Sequence, residues 1–465
     1  MNYQAVNGDV TELPYLAEKW DGFYEKDRDT IDMLFIGTSV IHTGVDVNYL
    51  YHEYGFTSYD LSADQMAGSN IFYFLKEALK YQSPRVIFVD VQSLSNKISP
   101  SASLHYSFDY MRQGINRIQG INEHPVSMQS ENYFPFIEYH NRWEELDETD
   151  FRYVFQDKLN MLNGYLIYML SNDSPVPVSY EKTDQTLSEL GYKQTEKNLN
   201  KIISFCREKG VECVLIRTPQ SYSEAQAQYC DALQKYADEN NIEFWNFNNY
   251  SDEMGIDFST DFVDGHHLNL IGSRKFTAFM GKWISKQFEY TDHRGTKGYE
   301  EWDAAYDYEN YLIHAYEIRH YVTAQQYLDN NDFLSDELIY IYTYDNPANI
   351  QRITGISEIP NKIRKNTKSY RTYVCIVKKG ELFLEMVLPL DETWKDYSLL
   401  PQAECLMIES FNGKTKIWFG DMGIETETIS GLVDLIIYDK KLGRILDHSI
   451  VDMNNNCYLA HLPVE

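Results

Sequence analysis

Short unbroken apolar runs alternate, over the N-terminal part of the chain, with longer stretches in which apolar residues recur at helical spacing. The run Asp32 to Gly37 (DMLFIG) is apolar almost throughout and closes on Gly, which predicts a buried parallel strand followed by a tight turn. In Ala67 to Gln82, Ile71, Phe74, Leu75, Ala78 and Leu79 share one helical face, and Pro84 hands over to a second strand, Arg85 to Val91 (RVIFVDV). The alternation recurs as a helix over Lys193 to Lys209 stopped by Gly210, a strand over Val211 to Ile216, a helix over Glu224 to Glu239, a strand over Ile242 to Phe247 and a helix over Ile271 to Phe288. Strand and helix in alternation predict an α/β domain, a mostly parallel sheet with helices on both faces. Such a sheet gathers functional groups at the C-terminal ends of its strands.

Two stretches break the pattern. About a hundred residues separate Val91 from Lys193, too many for an ordinary loop, so residues of about 95–190 read as an insertion or lid. It contains the aromatic segment Tyr133 to Trp143 (YFPFIEYHNRW), a candidate wall for a substrate groove, and the polar loop Ser171 to Ser179. Tyr290 to Asn310 is acidic, aromatic and poor in aliphatic residues, which marks a domain boundary. Beyond it, LIYIYTYD, YVCIVKKGELFLEMV, CLMIESFNGKTKIWFGD and GLVDLIIYDKKLGRILDHSIVD read as strands, with KKGE and NGK as hairpin turns. The expected organisation is an α/β domain over 1–290, a linker over 291–310, and a mostly antiparallel α+β accessory domain over 311–465.

At 465 residues the chain exceeds what one hydrophobic core usually serves, in keeping with two domains. A formal net charge of −29 argues against nucleic acid or an anionic membrane face as partner, because a phosphate-binding surface needs clustered Lys and Arg. The six cysteines (Cys206, Cys213, Cys230, Cys375, Cys405, Cys457) show no CxxC pair and no zinc-ligand spacing, so neither a structural metal nor a cofactor is expected. No window reaches the roughly 18 apolar residues of a membrane span, and the first 30 residues hold no signal-peptide run. As written the chain reads as soluble, and its abrupt start is compatible with an anchor upstream.

Candidate chemistry rests on two segments. Ser39, in Gly37-Thr38-Ser39, follows the first strand, where a hydroxyl is held exposed beside backbone N–H groups; a small residue there is also ordinary turn chemistry. Asp264 and His267, three residues apart in DGHHLN, stand just before a helix that Asn269 is placed to cap. That spacing lets the carboxylate reach Nδ1 of the ring, fixing the tautomer and leaving Nε2 to take a proton from a serine. Alone, His267 reads as a capping or core histidine and Asp264 as a solvated loop acid; together with Ser39 they converge on one edge of a parallel sheet. A zinc reading of Asp261, Asp264, His266 and His267 is weaker, since adjacent histidines project in different directions and the serine is then unexplained. His42 reads as a helix-start residue rather than a second base.

The order GTS, then YDLSADQ (Tyr59 to Gln65), then a strand ending VDVQSLS, then DFVDGHHLNLIGSRKFT resembles the SGNH/GDSL hydrolase superfamily. More closely it resembles the bacterial cell-surface branch related to DltD and the alginate O-acetylation proteins. The resemblance covers roughly residues 20–290. It implies a flavodoxin-like sheet, with Ser39 as nucleophile and Asp264 and His267 as acid and base. It also implies a serine esterase or O-acyltransferase acting on an acylated glycan or a polyol, teichoic-acid-like polymer. Such a protein would be displayed on the extracellular face of the membrane or secreted, beside a membrane-bound acyltransferase or acyl carrier. The competing class is a non-catalytic envelope protein that keeps the fold and binds polysaccharide.

Block one reads GTS rather than GDS, and Asp90-Val-Gln-Ser stands where the family has GxND, so the usual oxyanion Asn is missing. Donors are then expected from the Ser39 N–H and from Ser62, Gln65 or Gln92. YHNRW also resembles a segment of this branch, which makes His140 and Arg142 candidates for substrate contact, with a loop-stabilising aromatic–basic cluster as the alternative. The residues around Gly431 are similar to an ILEI-type module, for which binding or spacing is expected.

Overall fold

The computed structural model describes residues 15–95, 100–124, 133, 162–329, 337–344, 346–355, 372–389, 391–400, 404–411, 414–420, 422–427, 429–441 and 443–462. The chain divides between Glu309 and Asn310 into two compact units. The stretch expected as a linker, 291–310, contains the start of a helix, Glu300–Arg319.

The N-terminal unit is built on five parallel strands, β1 (Met33–Ile36), β2 (Ser58–Asp60), β3 (Val86–Asp90), β4 (Glu212–Arg217) and β5 (Glu243–Asn246), in the order β2-β1-β3-β4-β5. This is a flavodoxin-like sheet with helices on both faces. Every residue of β1 and β3 is buried, as covering both faces requires. Phe35 and Phe88 stack on one face, where Trp245 and Phe288 join them. Leu34, Ile36, Ile87, Val89 and Leu215 join the core on the other, with Phe74, Leu199, Ile202 and Leu233 from the covering helices.

The expected helices appear as Gly68–Ala78, Lys193–Lys209, Glu224–Asn240 and Leu270–Gln287. Gly210 closes the second in the left-handed conformation, with φ 69°. Ser223 and Gln226 form a capping box at the start of the third. Because β1 lies between β2 and β3, the chain reverses its winding at β1. The crevice that this opens lies at the C-terminal ends of β1 and β3, and Ser39 sits there.

Within the expected insertion, Pro100–Phe108 and Ile115–Asn122 are helical, and residues 134–161 lie outside the described residues.

The C-terminal unit carries two antiparallel sheets. Six strands, β6 (Leu338–Tyr344), β7 (Thr372–Lys378), β8 (Glu381–Leu388), β13 (Leu432–Asp439), β14 (Arg444–Asp452) and β15 (Tyr458–Leu462), run in the order β15-β14-β13-β6-β7-β8. Four more, β9 (Thr393–Asp396), β10 (Leu406–Phe411), β11 (Lys414–Phe419) and β12 (Met422–Glu427), form the second sheet. Ile341, Ile376 and Ile436 from one sheet share a core with Leu406, Ile408 and Ile417 from the other, and Phe419 stacks on Tyr438. The KKGE turn joins β7 to β8 through Lys379 and Gly380, both at positive φ, as a two-residue hairpin demands. Phe411 pairs with Lys414 across the NGK turn, whose Asn412 and Gly413 lie outside the described residues.

A buried polar cluster ties β14 and β15 together. Asp447 accepts from Tyr327 Oη at 2.6 Å, from Ser449 Oγ and from His461 Nδ1 at 3.0 Å, while His461 Nε2 donates to the Tyr321 carbonyl at 2.7 Å. Burial alone would lower the His461 pKa, but the Asp447 carboxylate and the Tyr321 carbonyl favour the imidazolium and carry it above 6.5. A raised histidine pKa contributes stability fully below the unfolded value and loses it as pH rises through the folded value. Asp447 itself is pushed up by burial and down, decisively, by His461, so its contribution holds above 3.8 and is lost only as pH falls through the depressed value. Chemical denaturation followed in the C-terminal unit should show His461→Gln destabilising more at about pH 5.5 than at about pH 8.5. An equal loss at both values would remove the imidazolium from the account.

Candidate active site

Ser39 opens the short helix Ser39–His42, separated from β1 only by Gly37 and Thr38. The Gly37 carbonyl accepts the Ala63 N–H at 3.0 Å, which fastens the turn to the segment after β2. Asp264 and His267 lie on a tight loop closed by the bridge Phe262–Leu268 and by the bonds Val263 N–H to His267 carbonyl and Asn269 N–H to Asp261 carbonyl. Asn269 caps the helix Leu270–Gln287, its Oδ1 accepting from the N–H groups of Ile271 and Gly272, and its Nδ2 donating to Leu170 and Thr260 carbonyls. One side chain thus orients both the helix and the loop before it.

These elements bring the three residues into line. Ser39 Oγ lies 2.7 Å from His267 Nε2, and His267 Nδ1 lies 2.8 Å from Asp264 Oδ2. Asp264 Oδ1 accepts the backbone N–H groups of His266 and His267 at 2.7 and 2.9 Å, so the carboxylate cannot swing away from the ring. Burial pushes the Asp264 pKa up, but the His267 ring and the two N–H groups outweigh it and hold the carboxyl well below its ordinary value. An ionised Asp264 fixes Nδ1 as the protonated nitrogen and leaves Nε2 as acceptor for the Ser39 hydroxyl.

The surroundings hold this loop from outside. Tyr168 meets the His267 ring edge-on, centroids 6.3 Å apart. Asn172 and Ser174 donate their N–H groups to Phe262 and Phe258 carbonyls, and Ser174 Oγ donates to the Asp264 carbonyl at 2.8 Å. On the far side Ser221 N–H donates to the Gly265 carbonyl at 2.8 Å. None of these supports was legible beforehand, since each comes from a loop whose sequence carries only turn chemistry.

The remaining candidates fare differently. The Ser62 N–H and Oγ both donate to Asp60, and buried Lys19 donates to the Ser62 carbonyl at 3.1 Å, so Ser62 has no donor to offer an oxyanion. The Asp two residues upstream, in YDLS, is the signal that announces this. Gln65 is exposed and held at φ 48°, an unusual conformation for a non-glycine residue. Gln92 is half-buried; its N–H donates to Asp90 Oδ1, and its Oε1 is buried without a partner among the described residues. His140 and Arg142 lie outside the described residues.

Asp261 is buried, its Oδ2 accepting from Lys275 at 2.7 Å and from the Asp257 N–H at 2.8 Å, so this carboxylate is already engaged. His42 is fully buried, its Nε2 3.5 Å from Asp64, and burial drives its pKa well below 6.5, with the charges of Lys19 and His267 adding to the effect. A neutral buried ring on the helix that Ser39 opens is a core residue.

A protein-family model matches residues 178–289, a stretch that carries β4, β5, Asp264 and His267 but not Ser39. No curated protein matches the chain. Among solved structures, a putative acylhydrolase from Bacteroides fragilis is 12% identical with a TM-score of 0.29, over 59% of this chain and 98% of its own. A GDSL-like lipase from Bacteroides thetaiotaomicron is 11% identical with a TM-score of 0.27, over 55% and 88%. An acetyl xylan esterase from the rumen bacterium Butyrivibrio proteoclasticus is 9% identical with a TM-score of 0.26, over 56% and 64%. Likeness at this level carries no argument about chemistry, and the fold rests on its own strand order.

If the line is catalytic, Asp264→Asn should preserve the fold while presenting the wrong tautomer, lowering turnover of 4-nitrophenyl acetate on the order of 1,000- to 10,000-fold. Unchanged turnover in that variant would show that the ester is cleaved elsewhere.

Proposed function

We propose that this protein is a serine esterase or O-acyltransferase acting on acyl esters of a cell-envelope polysaccharide or teichoic-acid-like polymer. The observation that carries the reading is the unbroken line from Ser39 Oγ through His267 to Asp264 at the C-terminal edge of a parallel sheet. Ser39 Oγ attacks the ester carbonyl carbon as its proton passes to His267 Nε2, and the imidazolium is stabilised by Asp264. Collapse of the tetrahedral intermediate expels the alcohol, which takes the proton from His267, and leaves an acyl group on Ser39. Water then completes hydrolysis, or a sugar or polyol hydroxyl completes transfer, with His267 again as base.

The polymer, the display outside the membrane and a neighbouring membrane-bound acyltransferase or acyl carrier are inferred from the resemblance of GTS, YDLSADQ and DFVDGHHLN to the cell-surface branch. Among the described residues no helix is long and apolar enough to cross a membrane. The C-terminal unit, with its ILEI-like segment around Gly431, serves in this reading as a binding or spacing module.

A second reading has its own support. The oxyanion Asn is absent and the Ser62 donors are held by Asp60, which favours a polysaccharide-binding protein that keeps the fold without turnover. The two readings separate on a fluorophosphonate probe. Covalent labelling of the wild type that disappears in both Ser39→Ala and His267→Ala is expected, and would be followed by acyl release from acetylated and alanylated glycans. A folded wild type that takes no label would favour the binding protein.

A further inference from the structure

The nucleophile turn leans on a carboxylate that no serine-hydrolase motif in the chain announces. Asp90 ends β3 one position beyond the Ile36–Val89 pair, fully buried. A Cβ added at Gly37 would stand 2.3 Å from the Asp90 Cβ, so the two backbones approach as closely as they do only because position 37 is glycine. Asp90 Oδ2 accepts the Thr38 N–H, the Thr38 hydroxyl and the Ser93 N–H, each at 3.2 Å, and Oδ1 accepts the Gln92 N–H at 2.9 Å.

Burying a carboxylate is costly, and among the described residues no cation stands within ion-pair distance of this one; the Arg217 charge acts on it from farther off. Four donors offset the cost, and two of them belong to the residue before Ser39. A structural need to tie β3 to the helix that follows it would be met by the Gln92 and Ser93 bonds alone. The Thr38 bonds do something else. With the Gly37 carbonyl held by Ala63 on one side and Thr38 held by Asp90 on the other, the turn cannot rock. Rocking would move Ser39 Oγ out of its 2.7 Å contact with His267.

We propose that Asp90 is the positioning residue of the nucleophile turn, gripping Thr38 through its N–H and its hydroxyl so that Ser39 is held in reach of His267. The proposal rests on Ser39 being the nucleophile. Its effect is on the reactivity of the folded site rather than on the amount of folded protein, and that difference is measurable.

The experiment follows fluorophosphonate labelling of the full chain to completion, recording rate constant and final stoichiometry separately, with thermal melts of each variant. Asp90→Asn, close to isosteric but facing the Thr38 and Ser93 donors with an amide, should label to full stoichiometry with a rate constant lower on the order of 100-fold. Thr38→Val, which removes only the hydroxyl bond, should lower it about tenfold, and Thr38→Ser should restore it. Wild-type rate constants in the variants, or a loss confined to the labelled fraction and the melting temperature, would overturn the proposal and leave Asp90 a structural residue. If Asp90→Asn yields no folded protein, the Thr38→Val and Thr38→Ser rate constants decide. A wild type that takes no label overturns both this proposal and the catalytic reading, whereas a labelled wild type with unaffected variants overturns this proposal alone.

Discussion

The hydrogen bond between Ser39 and His267 joins residues 228 positions apart, and the rest of the site is arranged around it. A contact of 2.7 Å between side chains on separate loops requires both loops to be fixed to within a few tenths of an ångström. The parallel sheet supplies the coarse placement, because β1 ends at the same edge toward which the loop before helix Leu270–Gln287 is directed. Local bonds supply the fine placement: Asn269 fixes the loop to its helix, and Ala63 and Asp90 fix the turn to the strands on either side of β1.

The electrostatics of the site follow from unequal burial. Asp264 is half exposed and stays charged, Asp90 is fully buried and held by four donors, and His42 is buried and kept neutral. Three groups of ordinary chemistry therefore sit in three settings: against an imidazole ring, against a turn and within a core. Ser62 is engaged with Asp60, while Gln92, two residues past β3, has its Oε1 buried without a partner among the described residues.

Four of the five strands were legible because strands covered on both faces read as continuous apolar runs, and two of the helices because Gly210 and Asn269 mark their ends. The strand β2 was not. Its three residues, Ser58–Asp60, carry no pattern of their own and are recruited by pairing with β1. Ser39, His267 and Asp264 were legible through spacing and order, since a short-range Asp–His pair and a strand-end serine have recognisable local form. Asp90 was not, because its role depends on which donors a strand end meets across the sheet, and it reads as no more than the polar end of a strand. In the C-terminal unit the Lys379-Gly380 turn was legible from its chemistry, whereas the Asp447 cluster is completed by Tyr327, 120 positions away in sequence.

The most direct test of the account is to react the protein briefly with an activated ester, quench in acid, and locate the acyl group by peptide mass spectrometry. The account predicts one acyl adduct, on the Ser39 side chain. Ester consumption with Ser39 unmodified, or with the acyl group on another residue, would contradict it.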